Sequence, residues 1–255
     1  MAGRTLRLTL SYDGGAYHGW QIQLSVPTVQ GVLTEACGRV FGGPVRVVGA
    51  SRTDAGVHAL GQVASLSVES RLYPLAIRSA LNSHLPPDIR VSEVADAAPG
   101  FDARRSARSK RYLYLLDNGP LANPLLRRYT WHVPRRLDLG AMTRALRGLR
   151  GKHDFSAFCA AAGQVRNPTC TLYSARLVAR RGLVSVLLSA DSFLHHMVRN
   201  IVGSLVEIGR GHRAAEWMTD LLSGRDRRRA GPTAPPQGLT LLRVSYPTDR
   251  LHSGG

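Results

Sequence analysis

The chain has 255 residues, with 34 lysines and arginines against 17 aspartates and glutamates, so its formal charge is +17. A hydrophobic content of 44% is enough to bury a core, which excludes wholesale disorder, and the length suits one large domain or two smaller ones. Lys110 and Lys152 are the only lysines, so the basic excess is almost all arginine, whose planar guanidinium suits phosphate and stacks on bases. This composition predicts a polyanionic partner, nucleic acid above all, with a solvated surface in an arginine-favouring genome as the alternative.

Cysteine usage and hydropathy indicate the compartment. Cys37, Cys159 and Cys170 are an odd number without CxxC spacing, which indicates neither a disulfide framework nor a zinc cluster. The N-terminus carries frequent charges and no apolar segment, so we expect no signal peptide. The longest stretch without formal charge, from Gly14 to Thr34, is too polar for a membrane span. We therefore expect a soluble protein of a reducing compartment, the cytoplasm.

The first half of the chain has the predicted order β-α-β-β-α-β-β. Apolar and polar side chains alternate over residues 5–10, which predicts a half-buried strand, and Pro27 with Thr28 opens an amphipathic helix. The other predicted elements are a short strand at Val45–Val48, a strand through Ala64, Leu66 and Val68, a helix from Pro74, and strands at Ile89–Val94 and Arg111–Leu116. This order is typical of an α+β protein with antiparallel pairing rather than βαβ repeats.

The second half follows a similar scheme. The predicted elements are a short strand at Tyr129–Val133, a helix capped by Asp138, a hairpin joining Leu172–Ala179 to Leu183–Leu188 through Arg181-Gly182, a helix through Leu194 that ends at Gly209, a helix around Trp217–Leu222, and a closing strand at Leu239–Tyr246. The basic stretch RDRRRAGPTAPPQG before the last strand is rich in Pro and Gly, which predicts an exposed loop.

Together these patterns predict an α+β fold of two similar halves, residues 1–105 and 106–255. Helices are expected to pack on a mixed, mainly antiparallel sheet. A basic cleft between the halves would be the usual place for a site. No residue-level repeat relates the halves, so their likeness is one of pattern only.

The most unusual segment is Arg52-Thr53-Asp54-Ala55-Gly56-Val57-His58, which places three ionisable residues between apolar strands. An ordinary turn, in which Asp54 bonds to its own backbone, is the alternative interpretation. The pair His195-His196 could suggest a metal site with Cys159 or Cys170. Adjacent histidines are expected on different helix faces, however, and the spacing fits no zinc pattern, so we expect no metal.

The string SRTDAGVHA and four other segments together resemble the tRNA pseudouridine synthases of the TruA type. The other segments are YDGGAYHGWQIQ with PTVQ, FDARRSARSKRYLY, FLHHMVRNIVGSLVEIGRG and TAPPQGLTLLRVSYP, and the whole set spans about residues 5–247 in the family's order. The resemblance implies the pseudouridine synthase fold and the isomerisation of uridine to pseudouridine in tRNA, with no cofactor. It also implies positions 38, 39 and 40 of the anticodon stem-loop as targets, and a homodimer whose two subunits are spanned by one tRNA.

The resemblance also implies roles for four residues. Asp54 matches the catalytic aspartate, Tyr112 the active-site tyrosine, and Arg52 the arginine that fills the space of the flipped base. Burial disfavours an ionised carboxylate, so such a nucleophile needs a buried cation beside it, and Arg199 matches the family's helix arginine. The alternatives are a phosphate contact for Arg52, core packing for Tyr112 and an exposed helix position for Arg199. His58 is expected to be structural.

Some positions depart from the family pattern. Asp102 and Arg105 stand where the family usually has His and Phe, and Cys170 lies near an expected Arg, which bears on substrate contacts rather than on activity. Two arginine clusters are predicted to bind phosphate without reading sequence. Their members are arginines 104, 105, 108 and 111, and arginines 225, 227, 228 and 229.

Two other function classes compete with this interpretation. A non-catalytic RNA-binding protein or tRNA chaperone could use the same basic cleft, but it would have no physical reason to keep a carboxylate among phosphates. A metal-dependent nuclease would need several carboxylates around its metal, and Asp54 has no acidic neighbour before Glu69.

Overall fold

A computed structural model describes residues 3–160 and 167–247. The chain divides into two compact units, one formed by Met1–Arg108 with Leu241–Gly255 and the other by Ser109–Thr240. The strands are β1 (Arg4–Tyr12), β2 (Val48–Gly49), β3 (His58–Val68), β4 (Ile89–Asp96), β5 (Ser109–Asp117), β6 (Trp131–His132), β7 (Gly151–Asp154), β8 (Thr169–Arg180), β9 (Leu183–Ala190) and β10 (Leu239–Ser245). The helices are α1 (Val29–Phe41), α2 (Pro74–His84), α3 (Leu139–Arg147), α4 (Met197–Gly209) and α5 (Trp217–Gly224).

The first unit is built on an antiparallel sheet in which β1 lies between β3 and β4. Leu6, Leu8 and Leu10 are fully buried, as the alternating pattern predicts. Thr28 caps α1 by accepting a hydrogen bond from the amide of Gly31. Helix α2 packs against β4 and α1. β10 follows β3 in the strand order, so the closing strand joins this unit.

The second unit carries the strand order β5-β9-β8-β7, in antiparallel pairs, with β6 parallel to β5. Arg181 and Gly182 both take positive φ, at 49° and 80°, which makes the β8–β9 connection the tight hairpin turn that the sequence predicts. Helix α3 packs against β8 and α4, and α4 is buried on nearly every side. The mixed α+β fold with mainly antiparallel strands is therefore confirmed.

Some predictions of local structure are wrong. The strand predicted at Val45–Val48 is reduced to the two residues of β2, and the one at Tyr129–Val133 to the two of β6, while β7 was not predicted. The loop predicted to be exposed is partly packed, since Gly231, Ala234 and Gly238 are buried in it. No helix among residues 3–160 and 167–247 is both long and apolar enough to cross a membrane.

Candidate active site

Of the four predicted site residues, two lie in a loop of the first unit and two lie on a strand and a helix of the second unit. Arg52 and Asp54 belong to the loop between β2 and β3 in the first unit, where Arg52 is exposed and Asp54 is half-buried. Tyr112 on β5 and Arg199 in the first turn of α4 belong to the second unit. Tyr112 is buried, with 5% of its surface exposed, and Arg199 is half-buried.

The Asp54 loop, residues 51–57, contains a tight turn. The amide of Val57 donates to the carbonyl of Asp54 at 3.1 Å, and Gly56 at the third position has φ of 77°. This left-handed conformation favours glycine, because a Cβ there would meet the backbone. Asp54 is thus the first residue of the turn, and β3 begins directly after it.

The same loop is held by the segment between β1 and α1. The amide of Trp20 donates to the carbonyl of Thr53 at 3.0 Å, and the amide of Gly56 donates to the carbonyl of Tyr17 at 3.3 Å. A Cβ on Gly19, which has φ of 88°, would lie 2.6 Å from the Thr53 oxygen. The two backbone segments can therefore approach this closely only because glycine stands at that position.

A buried polar network lies beneath the loop. Gln62 Nε2 donates to the carbonyl of Ser51 at 2.7 Å, and its Oε1 accepts from the amide of Ser51 at 3.2 Å. The hydroxyls of Tyr12 and Thr53 are 2.9 Å apart, and Gln62 Nε2 lies 3.4 Å from the Tyr12 hydroxyl. Neither Tyr12 nor Gln62 is among the residues that the sequence motifs predict for the site. The signal available for Gln62 was the long polar side chain in β3.

His58 lies at the start of β3 and is 4% exposed. Its Nδ1 is 3.0 Å from the amide nitrogen of Gly14 and 3.1 Å from a carboxylate oxygen of Asp13. These contacts join β3 to the residues that follow β1, which is a structural function for this histidine.

In the second unit, Arg199 is fixed by the segment that precedes β10. Its Nε donates to the carbonyl of Ala234 at 2.8 Å, and the amide of Ala234 donates to the backbone oxygen of Arg199 at 3.1 Å. Burial raises the pKa of the nearby Tyr114 hydroxyl, and the positive charge of Arg199 opposes that rise. The Tyr114 hydroxyl donates to the carbonyl of Pro235 at 2.7 Å.

Tyr112 is oriented by a second aromatic ring. The rings of Tyr112 and Phe193 meet edge to face, with centroids 5.0 Å apart and an interplanar angle of 81°. Phe193 is not among the residues that the sequence motifs predict for the site. His195 and His196 follow it and precede α4 rather than lying in it, and their ring centroids are 3.9 Å apart. The expectation that these two histidines point to different helix faces is therefore wrong.

Asn200 and Arg227 fasten the segment 227–234 to α4. The fully buried Asn200 donates to the carbonyl of Phe158 at 2.8 Å and accepts from Arg227 at 3.0 Å and Thr233 at 2.7 Å. Burial lowers the pKa of the Arg227 guanidinium. Arg227 therefore packs against α4, whereas arginines 225, 228 and 229 beside it are exposed.

The positions that depart from the family pattern also have structural contacts. Asp102 accepts from the amides of Arg104 and Arg105, each at 2.8 Å, and so caps the turn at residues 102–106. Cys170 is 1% exposed and accepts a hydrogen bond from Ser192 at 3.3 Å. Burial raises the pKa of its thiol. Arginines 104, 105, 108 and 111 are all exposed.

Comparison with known proteins identifies the class of protein. Residues 9–104 and 145–247 match the family model described as tRNA pseudouridine synthase. The chain therefore belongs to the tRNA pseudouridine synthase family, a class of isomerases, as its motifs predict.

Within this family, the chain is similar to curated relatives that are described as tRNA pseudouridine synthase A. A tRNA pseudouridine synthase A of Myxococcus xanthus is 45% identical over 242 residues, which cover 94% of this chain and 91% of the relative. The enzyme of the same description from Azorhizobium caulinodans is 45% identical and is covered to 96%, with 97% of this chain aligned. The one from Moorella thermoacetica is 45% identical, with 94% of this chain and 99% of the relative covered.

Proposed function

We propose that this protein converts uridine to pseudouridine in the anticodon stem-loop of tRNA, at positions 38, 39 and 40, with Asp54 as the nucleophile. One observation carries the catalytic part of this proposal. Asp54 is a half-buried carboxylate on a loop that buried hydrogen bonds hold in place, in a chain of formal charge +17. A protein that only bound phosphate would gain nothing from a rigidly placed negative charge.

The reaction is a rearrangement within one nucleotide. The bond between C1′ and N1 breaks, the uracil turns, and a new bond forms between C1′ and C5. The proton on C5 is lost and N1 gains one, so atoms and charge balance without a redox step or a transferred group. A positioned carboxylate can serve as the nucleophile that divides such a reaction into two easier steps.

Arg199 is proposed as the charge partner of Asp54. A guanidinium carries five N–H donors, and the bond from its Nε to Ala234 fixes its plane at one edge. Two parallel charge-assisted hydrogen bonds can then hold a carboxylate in its ionised form. The proposal requires that the Asp54 loop of the first unit and Arg199 of the second act on the same nucleotide.

Tyr112 and Arg52 are proposed to bind the substrate. The target uridine must leave the base stack before a nucleophile can reach it. Tyr112, oriented by Phe193, is the proposed surface on which the extruded uracil stacks. Arg52 is exposed and lies two residues before Asp54, so its long side chain is proposed to fill the vacated space.

The proposed partners are tRNA and a second copy of this chain. We propose tRNA as the substrate, a homodimer as the active form, and the cytoplasm as the site of action. The relatives described as tRNA pseudouridine synthase A support tRNA as the substrate, and the arginine excess supports a phosphate-rich partner. A non-catalytic RNA-binding protein is the competing function, because the exposed arginines alone would also bind RNA.

Release of tritium from tRNA labelled at C5 of uridine separates the two functions, because C5 loses its hydrogen only when the new bond forms. The wild-type protein is expected to release tritium, and Asp54→Asn is expected to release none while still binding tRNA. Asn keeps the size of the side chain but is a poor nucleophile. Equal rates for the two proteins would contradict the assignment of Asp54. Binding by both without any release would favour the RNA-binding protein.

A further inference from the structure

A groove lies in the second unit between the end of α4, the start of α5 and the segment 228–232. Its volume is about 470 Å³, which is within the range of ligand sites in proteins. It is lined by Glu207, Arg213, Trp217, Arg228, Arg229, Ala230, Gly231 and Pro232, which we call the Trp217 groove. The four residues proposed to act in catalysis and substrate binding are not among those lining residues.

The groove contains a cation–π contact between an arginine and an aromatic ring. The guanidinium carbon of Arg213 lies 5.2 Å from the centre of the Trp217 ring, and Trp217 is half-buried. Aromatic rings and guanidinium planes are the groups on which unpaired bases stack in RNA-binding proteins. The groove therefore offers a surface suited to the face of a base.

The charged groups around Trp217 favour the binding of an anion. Asp226 accepts hydrogen bonds from Arg228 Nε at 3.0 Å and from Nη2 at 2.8 Å, which orients that side chain, and Arg229 beside it is exposed. Glu207 is the one acidic lining residue, and Arg210 at 3.2 Å and His212 at 2.9 Å already contact its carboxylate. Arginines placed in this way make charge-assisted hydrogen bonds to phosphate.

We propose that the Trp217 groove binds an unpaired nucleotide of the RNA substrate. The base stacks on the ring of Trp217 beside Arg213, and the adjoining phosphates contact Arg228 and Arg229. The identity of the RNA rests on the proposed function, whereas binding of a single strand does not. Because the groove holds a part of the RNA other than the reacting uridine, its loss is expected to raise KM for tRNA and to leave kcat unchanged.

The test measures binding by the full-length protein of a fluorescent, short oligocytidylate and, for comparison, of a blunt RNA duplex, which offers no unpaired base and whose binding Trp217→Leu is expected to leave unchanged. Trp217→Leu is expected to weaken oligocytidylate binding about tenfold, and Trp217→Phe, which keeps a stacking ring, to bind like the wild type. Arg229→Ala, at an exposed position, is expected to weaken it about threefold. Arg180→Ala removes an exposed arginine of β8 and serves as the control, with binding unchanged.

The outcomes separate this proposal from the function itself. If Trp217→Leu and Arg229→Ala bind the oligocytidylate as the wild type does, or if Arg180→Ala loses as much, the groove is not the binding site. If Trp217→Leu weakens binding of the RNA duplex as much as binding of the oligocytidylate, the groove does not recognise an unpaired base and the proposal is overturned. Tritium release is measured on the same proteins. Absence of tritium release by the wild-type protein would refute the proposed function. The comparison of oligocytidylate binding among the variants would still test whether the groove binds RNA.

Discussion

The buried side chains of Gln62 and Tyr12 hold the backbone of the Asp54 loop in place. Gln62 is fully buried and bonds to both backbone groups of Ser51, and Tyr12 contacts Thr53, the residue before Asp54. These are positioning residues, because they act through the backbone and not on the substrate. A small displacement of a catalytic group can reduce a rate far more than it reduces binding.

We expect Gln62→Leu to lower kcat at least tenfold with little change in KM. Leucine fills a similar volume but removes both hydrogen bonds that Gln62 makes to the backbone of Ser51, each of which contributes roughly 0.5–1.5 kcal/mol. Steady-state kinetics and thermal unfolding measure the two effects. Leu81→Ala in the core of α2 is the control, because it loses about 2–5 kcal/mol of stability away from the loop. An equal loss of kcat in that control would contradict a positioning role for Gln62.

Arg199→Met is expected to reduce kcat about a hundredfold or more, because the proposed charge partner of Asp54 is lost. Arg199→Lys keeps the charge without the planar fork, so we expect it to recover part of the rate. Single-turnover tritium release measures the chemical step, and tRNA binding is expected to change only a few-fold. A methionine variant with wild-type rate would refute the pairing.

At the scale of elements, α4 and the segment 227–234 depend on close backbone contact. A Cβ added at Gly203 would lie 1.7 Å from the carbonyl oxygen of Pro232. The approach allows Ala234 to bond to Arg199 and Thr233 to bond to Asn200, so the packing of this segment is coupled to the proposed site.

Gly203→Ala is therefore expected to lower the free energy of unfolding by about 3 kcal/mol or more, since the segment must move away from the helix. The same substitution at Gly38 in α1 is a matched control, because its Cβ would meet the Gly43 oxygen at an ordinary 3.5 Å. Gly38→Ala should stabilise the protein by up to about 1 kcal/mol through helix propensity. Chemical denaturation followed by circular dichroism measures both. Similar stabilities for the two variants would refute the close-contact argument.

At the scale of the whole molecule, the charge of +17 governs how RNA is bound. Neutralised phosphates release counterions, and each contact contributes about −0.7 to −0.9 to the slope of log K against log salt. The exposed arginines 104, 105, 108 and 111 are the first candidates for these contacts.

We expect tRNA affinity to fall about a thousandfold or more between 50 and 200 mM salt if six or more phosphates are contacted. Arg104→Ala should reduce the magnitude of the slope by about 0.7 to 0.9, the contribution of one phosphate contact, without changing kcat. Arg227→Ala should instead destabilise the fold, because Arg227 bonds to Asn200 and Thr233. Filter binding over a salt series tests this, and an unchanged slope for Arg104→Ala would exclude that residue from the interface.

Much of the fold could be predicted because its signals are local. The alternation at Leu6, Leu8 and Leu10, the Thr28 cap of α1 and the Arg181-Gly182 turn all act within a few residues. The strands at Val45–Val48 and Tyr129–Val133 were predicted too long, since a run of apolar residues does not reveal how far it finds a pairing partner.

The sequence by itself determined the order of most elements, the excess of arginine and the family, through motifs that stand in order along the chain. Only the tertiary structure decided which buried polar groups meet. Gln62 bonds to Ser51 across 11 residues, Arg227 to Asn200 across 27, and Arg199 to Ala234 across 35. It also decided that β10 joins the first unit. Such partners are selected by the cost of leaving a buried donor or acceptor unpaired, and no local pattern of residues records that cost.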